Sequence, residues 1–192
     1  MAADPIERFQ RWQADAGRAG VDLSESIALA TADRRGRPSL RYVLLKSVDR
    51  NGFVFYTNAR SRKGRELTAN PHAALAVYWH EIDRQVRIEG PVREVTREEA
   101  DAYWAERPRD SQIASAASQQ SRTIQTRAAL LAACRDVERR WRGREIPRPA
   151  RWTGYRLLPR RIEFWTRCEP RLHRRELFER KGSRWVRTLL QP

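Results

Sequence analysis

Leu40-Arg41-Tyr42-Val43-Leu44-Leu45-Lys46-Ser47-Val48-Asp49-Arg50-Asn51-Gly52-Phe53-Val54-Phe55-Tyr56-Thr57 is the stretch that decides how this chain folds. Leu40–Ser47 reads as a strand, rich in residues that suit a pleated, half-buried surface. Asp49-Arg50-Asn51-Gly52 supplies the residues a tight reversal needs, and Phe53–Thr57 pairs back. Upstream, Ile27–Thr31 is a further short strand, turned into the hairpin by Asp33-Arg34-Arg35-Gly36-Arg37-Pro38. Strands so closely spaced and joined by tight turns predict an antiparallel meander.

The rest of the chain extends that reading. Asp4–Gly20 is an expected amphipathic helix, with Asp4 as N-cap, Pro5 at the first position and Ile6, Phe9 and Trp12 on one face. Ser61 is placed to cap a helix that Asn70-Pro71 stops. Strands are expected at Ala73–Trp79 and Gln85–Val95, the second interrupted by Pro91. Thr96-Arg97-Glu98-Glu99 is a capping box opening a helix to Arg107, which Pro108 ends. A loop or short helix leads to a helical segment at Ile124–Trp141, and Arg144–Trp152 crosses over with Pro147 and Pro149. Closing strands are expected at Gly154–Trp165, Arg171–Arg180 and Trp185–Leu190. Many short antiparallel strands with a few helices predict a mainly β fold, an antiparallel barrel with helical additions, as one domain over residues 1–192. Parallel βαβ units are lacking, as are the Gly-rich fingerprints of the common dinucleotide and ATP sites.

Composition narrows the class. With 40% hydrophobic and 33% charged residues, the 192-residue chain has the make-up of a globular domain rather than a disordered one. Apolar runs such as Ala73–Trp79 are far too short to cross a bilayer. Asp4, Glu7 and Asp15 near the start argue against a secretory signal, so the expectation is a cytoplasmic protein. Cys134 and Cys168 form no CxxC pair, and His72, His80 and His173 have no ligand spacing, so no metal site is expected. The net charge of +15 fits three readings: an arginine-rich solvated surface, a nucleic-acid binder, or cations gathered around small phosphorylated ligands. Local patterns must separate them.

Three clusters bear on that choice. Asn58-Ala59-Arg60-Ser61-Arg62-Lys63-Gly64 puts cations at a helix start, where free N–H groups already favour an anion and extra cations are poorly placed without one. Tyr103 and Arg107 are spaced i, i+4 on a helix face, and Ser111 follows the turn at Pro108; two hydroxyls and a guanidinium suit a phosphate monoester. In Arg171-Leu172-His173-Arg174-Arg175, strand alternation would aim Arg171, His173 and Arg175 to one side, toward something anionic or electron-rich. Trp165 just upstream could pack on a flat ring. Each cluster also has a plain reading as an exposed surface or helix end.

At these residues the chain resembles the pyridoxamine 5′-phosphate oxidase family. The motifs are Arg41-Tyr42-Val43-Leu44-Leu45-Lys46, Phe55-Tyr56-Thr57-Asn58, Ser61-Arg62-Lys63, Arg84-Gln85-Val86, Arg107-Pro108-Arg109-Asp110-Ser111-Gln112-Ile113, Gln120-Ser121, Ile162-Glu163-Phe164-Trp165 and Arg171-Leu172-His173, in order over nearly the whole chain. The resemblance implies an FMN-binding split β-barrel, antiparallel and Greek-key-like, forming a homodimer with two FMN sites across the subunit interface. Residues 153–192 would complete the dimer-type active site.

Carried onto this sequence, the FMN contacts would be Arg41, Tyr42, Val43, Leu44, Leu45, Lys46, Tyr56, Thr57, Arg62, Lys63, Gln85, Gln120, Ser121, Trp165 and Arg175. Lys46, Tyr103, Arg107 and Ser111 would hold the substrate phosphate, with Arg171 and His173 at the substrate ring as catalytic, orienting groups. The implied reaction oxidises pyridoxamine or pyridoxine 5′-phosphate to pyridoxal 5′-phosphate with FMN and O2, releasing H2O2. Alternation places Arg41 and Lys46 on opposite faces of a regular strand, so both meet ligand only through a bulge, a strand end or backbone contacts; a seam between subunits would relieve that tension.

Departures from the family pattern are Met1-Ala2-Ala3-Asp4 where a basic arm is common, Ala114-Ser115-Ala116, Arg174, Thr153-Gly154 and Leu189-Leu190-Gln191-Pro192. They bear on lid closure and substrate choice. The alternatives are a related flavoenzyme on the same barrel, of the phenazine type, and a basic barrel that binds nucleic acid without catalysis.

Overall fold

The computed structural model describes residues 4–192. Helix α1 (Pro5–Arg18) opens the chain, its Asp4 cap accepting the Ile6 N–H at 2.9 Å. Strands β1 (Ser26–Ala32), β2 (Pro38–Asp49) and β3 (Gly52–Asn58) form the expected meander. Asp49 Oδ1 accepts the N–H groups of Asn51 and Gly52 and so closes the turn. Gly52 is required there: its φ is +133°, and a Cβ would sit 2.1 Å from the Leu157 carbonyl oxygen.

Helix α2 (Arg62–Ala69) begins at Ser61, whose hydroxyl accepts the Gly64 N–H, and stops at Asn70. Then come β4 (His72–Trp79), a 3-10 turn at His80–Ile82, and β5 (Arg84–Glu94). Helix α3 (Arg97–Glu106) has both hydrogen bonds of the Thr96/Glu99 capping box. Helices α4 (Arg109–Ala117) and α5 (Arg127–Arg140) follow, then β6 (Trp152–Leu157), β7 (Arg161–Thr166), β8 (Arg174–Lys181) and β9 (Arg184–Leu190).

The strands lie in the order β4-β1-β2-β3-β6-β5-β7-β8-β9, all pairings antiparallel, and β4 also pairs with β5. The run β4-β1-β2-β3 is a Greek key, and the β4–β5 pairing closes the ring β1-β2-β3-β6-β5-β4 into a barrel. Strands β7, β8 and β9 continue as a sheet from β5, which gives the split barrel. The interior is packed with Phe53, Phe55, Leu29, Leu75, Ile88 and Leu157. Phe9 of α1 closes the core: its ring lies 5.0 Å from that of Phe53, edge-on, and 5.7 Å from that of Trp79.

Four expectations shift. Pro91 does not interrupt β5; it is the point where the strand leaves its pairing with β4 and takes up β6, and its carbonyl accepts the Leu158 N–H at 2.8 Å. Gly154–Trp165 is not one strand but two, broken at Leu158-Pro159-Arg160. The helix expected from Ile124 starts at Arg127, where the Thr126 hydroxyl caps it. The strand expected from Arg171 starts at Arg174, because Pro170 has no N–H to give and Arg171 stands at φ +85°.

Candidate active site

A β-bulge shapes the site. Leu45 pairs with Phe55 and Ser47 with Val54, so Lys46 is the extra residue. Up to it β2 alternates strictly: Leu40, Tyr42 and Leu44 are exposed, while Ser39, Arg41 and Val43 are half-buried. Lys46 keeps the face of Tyr42 and Leu44, the alternation breaking only after it, and stands with them in a cleft of about 230 Å3 that Val43, Tyr56, Thr57, Lys63, Tyr103, Arg107, Gln120 and Trp152 also line. Arg107, Tyr56, Thr57 and Gln120 continue into an adjoining cleft of about 360 Å3 with Ser111 and Ser115. Lys63 of the first sequence cluster therefore meets Tyr103, Arg107 and Ser111 of the second, whereas Arg62 lines neither cleft.

One wall is aromatic. Tyr56 stacks on Tyr103 with ring centres 4.1 Å apart and on Trp152 at 5.1 Å, the planes within 23° and 9°. Gly154, paired with Tyr56 across β3 and β6, makes room, since a Cβ there would stand 2.7 Å from the Tyr56 ring. Burial raises the pKa of both tyrosines, so both remain phenols able to donate a hydrogen bond. Arg107 lies over Trp152, 4.8 Å from its ring centre, and donates to the Ser115 hydroxyl at 2.9 Å. Burial lowers its pKa, opposed by Tyr103, and it makes no ion pair among the described residues. It does not reach the cleft as an i, i+4 helix neighbour of Tyr103: α3 ends at Glu106, and Arg107 is its extended C-cap.

The other wall is cationic. Lys63 is 7% exposed, and its Nζ donates to Thr57 Oγ1 at 3.2 Å and Gln120 Oε1 at 3.3 Å. Among the described residues no carboxylate pairs with it; burial, and then Arg41, lower its pKa. A buried ammonium facing only neutral oxygens fits an anion. Ser121, at φ +70°, accepts the Arg62 N–H at 3.1 Å and so ties its loop to the start of α2.

The expectation that Arg62 needs an outside anion is corrected: Glu66, one turn along α2, accepts its Nε at 2.8 Å. Glu66 also accepts from Thr31 and Ser39, each at 2.5 Å, and from Arg41 at 3.2 Å. Arg41 is thereby turned away from Lys46 into this network, donating also to Thr31 Oγ1 and the Leu29 carbonyl. Leu45 is buried in the core, so a ligand can meet it only through backbone.

Gln85, Trp165 and Arg175 lie side by side across β5, β7 and β8, and neither cleft is lined by them, by Arg171 or by His173. The one-sided row of Arg171, His173 and Arg175 is corrected, because the first two precede β8 in a turn where alternation does not apply. Trp165 packs on His173, ring centres 4.7 Å apart. His173 Nδ1 accepts the Cys168 N–H at 3.3 Å, which leaves Nε2 to carry the proton of the neutral ring. Arg171 is exposed. The charge of Arg175 is met within the chain: Glu163 takes two of its N–H groups at 2.8 and 3.2 Å, and the Gln191 carbonyl a third.

Sequence reasoning missed Glu66, Glu163, Trp152 and Ser115. Only the Arg62–Glu66 spacing carried a signal; the other partners come from distant elements.

Fold and site define a split-barrel protein with a cationic, aromatic-walled cleft. Residues 14–140 match the family model described as pyridoxamine 5′-phosphate oxidase, and residues 152–192 match the pyridoxine 5′-phosphate oxidase C-terminal dimerisation region. The chain belongs to the pyridoxamine 5′-phosphate oxidase family and is an oxidoreductase of it.

The pyridoxine/pyridoxamine 5′-phosphate oxidase of Rubrobacter xylanophilus is 51% identical over 189 residues, 98% of this chain and 87% of that protein. That of Sphingopyxis alaskensis is 50% identical over 192 residues, covering 100% and 89%. Among solved structures, PhzG from Burkholderia lata 383, in complex with tetrahydrophenazine-1-carboxylic acid, has a TM-score of 0.94 and 40% identity over 99% of this chain and 93% of that one. A pyridoxamine 5′-phosphate oxidase-related, FMN-binding protein from Nostoc punctiforme shares the fold, with a TM-score of 0.78 at 18% identity and full coverage of both chains.

Proposed function

We propose that this protein is an FMN-dependent oxidase of pyridoxamine or pyridoxine 5′-phosphate, acting as a homodimer in the cytoplasm. The observation that carries the reading is the meeting of Lys46, Lys63, Tyr103 and Arg107 in one cleft against the Tyr56–Trp152 stack. Cations without carboxylate partners beside phenols suit a phosphate ester, and near-parallel rings suit a flat ligand. The curated relatives at about half identity bear the name of that activity.

Bound FMN would supply the redox chemistry of the reaction, as hydride acceptor toward the C4′ carbon with O2 as the final oxidant and H2O2 as its product. The protein's part is position and charge. Lys63, Arg62 and the Gln120-Ser121 loop would hold the cofactor phosphate; Lys46, Tyr103, Arg107 and Ser111 would hold that of the substrate. Arg171, at a backbone angle rare outside glycine, and His173, whose Nε2 proton is set by Cys168, would orient the ring. Tyr42 to Lys46 would line the flavin with backbone and side chain.

Two halves held apart in one chain support a site completed by a second copy. The exposed Leu40, Tyr42 and Leu44 of β2 offer it an apolar face, and the dimerisation-region match covers the part that carries Arg171 and His173. The free thiols of Cys134 and Cys168 fit a reducing compartment.

A phenazine-type reading is favoured by the likeness to PhzG. The purified protein should be yellow, and pyridoxamine 5′-phosphate should bleach the flavin band and yield peroxide on return of air. A colourless protein that binds no added FMN, or peroxide only with a reduced phenazine carboxylate, would reject the main proposal.

A further inference from the structure

We infer that Glu66 is a positioning residue for the cofactor phosphate: its carboxylate grips Arg62 by Nε and so presents the outer edge of that guanidinium to the anion. The inference rests on the FMN reading. Glu66 is 7% exposed and lies one helical turn behind Arg62. Its Oε1 takes the Arg62 Nε, while Oε2 takes Thr31, Ser39 and Arg41, which anchors the carboxylate to β1 and β2. Among the described residues neither Nη of Arg62 has a protein acceptor, so the fork that binds phosphate in two-pronged fashion is held facing outward.

Charge agrees. Arg41, Arg62 and Lys63 against Glu66 leave two positive charges, which match a phosphate monoester dianion. Without Glu66, Arg62 is a long exposed side chain free among rotamers, and the phosphate must order it on binding.

The test is flavin affinity, read from fluorescence quenching when full-length protein stripped of flavin is titrated with FMN and, separately, with riboflavin, which lacks the phosphate. Glu66→Ala should weaken FMN by roughly tenfold or more, the scale of one charge-assisted hydrogen bond, and leave riboflavin unchanged. Glu66→Gln, which keeps one acceptor for Arg62, should fall between. Unchanged or tighter FMN binding overturns the inference, as do equal losses for both flavins, which mark a merely structural role. If Glu66→Ala does not fold, Glu66→Gln decides by the same comparison. Wild-type protein that holds FMN no better than riboflavin overturns the phosphate reading itself.

Discussion

Burial by itself pushes the Glu66 carboxyl up, yet hydrogen bonds from Ser39 and Thr31, and then from Arg62 and Arg41, hold it at about 2 against an ordinary 4.5. A folded-state pKa below the unfolded one adds stability above the unfolded pKa, and that stability is lost as pH falls through the folded one. The melting-temperature gap between wild type and Glu66→Gln should therefore be widest near neutrality and should narrow between about pH 4.5 and about pH 2. A gap that stays constant over that range would show that the charge of Glu66 contributes nothing. Glu163 and Glu176, also held below the carboxylate range against burial by arginines, are common to both proteins and leave the comparison intact. The candidate phosphate cations were legible as residue types, and so was the i, i+4 pair of Arg62 with Glu66, but the rest of the Glu66 network was not: Thr31, Ser39 and Arg41 come from β1 and β2, and only packing brings them within reach of α2.

At the scale of elements, the aromatic wall depends on the closeness of β3 and β6. Gly154→Ala places a methyl 2.7 Å from the Tyr56 ring and 2.8 Å from the Val95 side chain, and the stacking of Tyr56 on Tyr103 and Trp152 leaves that ring little room to yield. It should cost about 1–3 kcal/mol in denaturant unfolding, the usual penalty of overpacking, and dim the near-ultraviolet circular dichroism of the Tyr56–Tyr103–Trp152 stack. Unfolding and spectrum like those of wild type would show that the strands adjust freely. Caps and turns were readable because they are local chemistry: Asp4, Ser61, Thr96 and the Asp49–Gly52 reversal each satisfy backbone groups a few residues away. Pro91 was misread because its cost depends on which strand faces it, a fact of the sheet and not of the strand.

At the scale of the molecule, Arg107 lies in the barrel cleft while Arg171 and His173 lie beyond β7, in a different place on the same chain. If each site takes the cleft from one protomer and the Arg171 turn from its partner, co-expressed Arg107→Ala and Arg171→Ala chains must complement. Their mixed dimer holds one site with both changes and one with neither, so random pairing should restore roughly one quarter of wild-type peroxide production from two nearly inactive parents. No recovery in a verified mixed dimer would place both residues in a site of one chain.

Hydrophobic alternation, turn residues and caps in the sequence were enough to determine the meander, the starts of α1, α2 and α3 and the mainly β class, because those signals act between near neighbours. The ordered motifs were enough to determine the family. Barrel closure through β4–β5, the bulge in β2 at Lys46, the turn that takes Arg171 off its strand and the Glu66 network were decided only by the tertiary structure. Each depends on which distant groups can satisfy one another's hydrogen bonds and charges once water has been excluded, and that pairing is not written in any short stretch of chain.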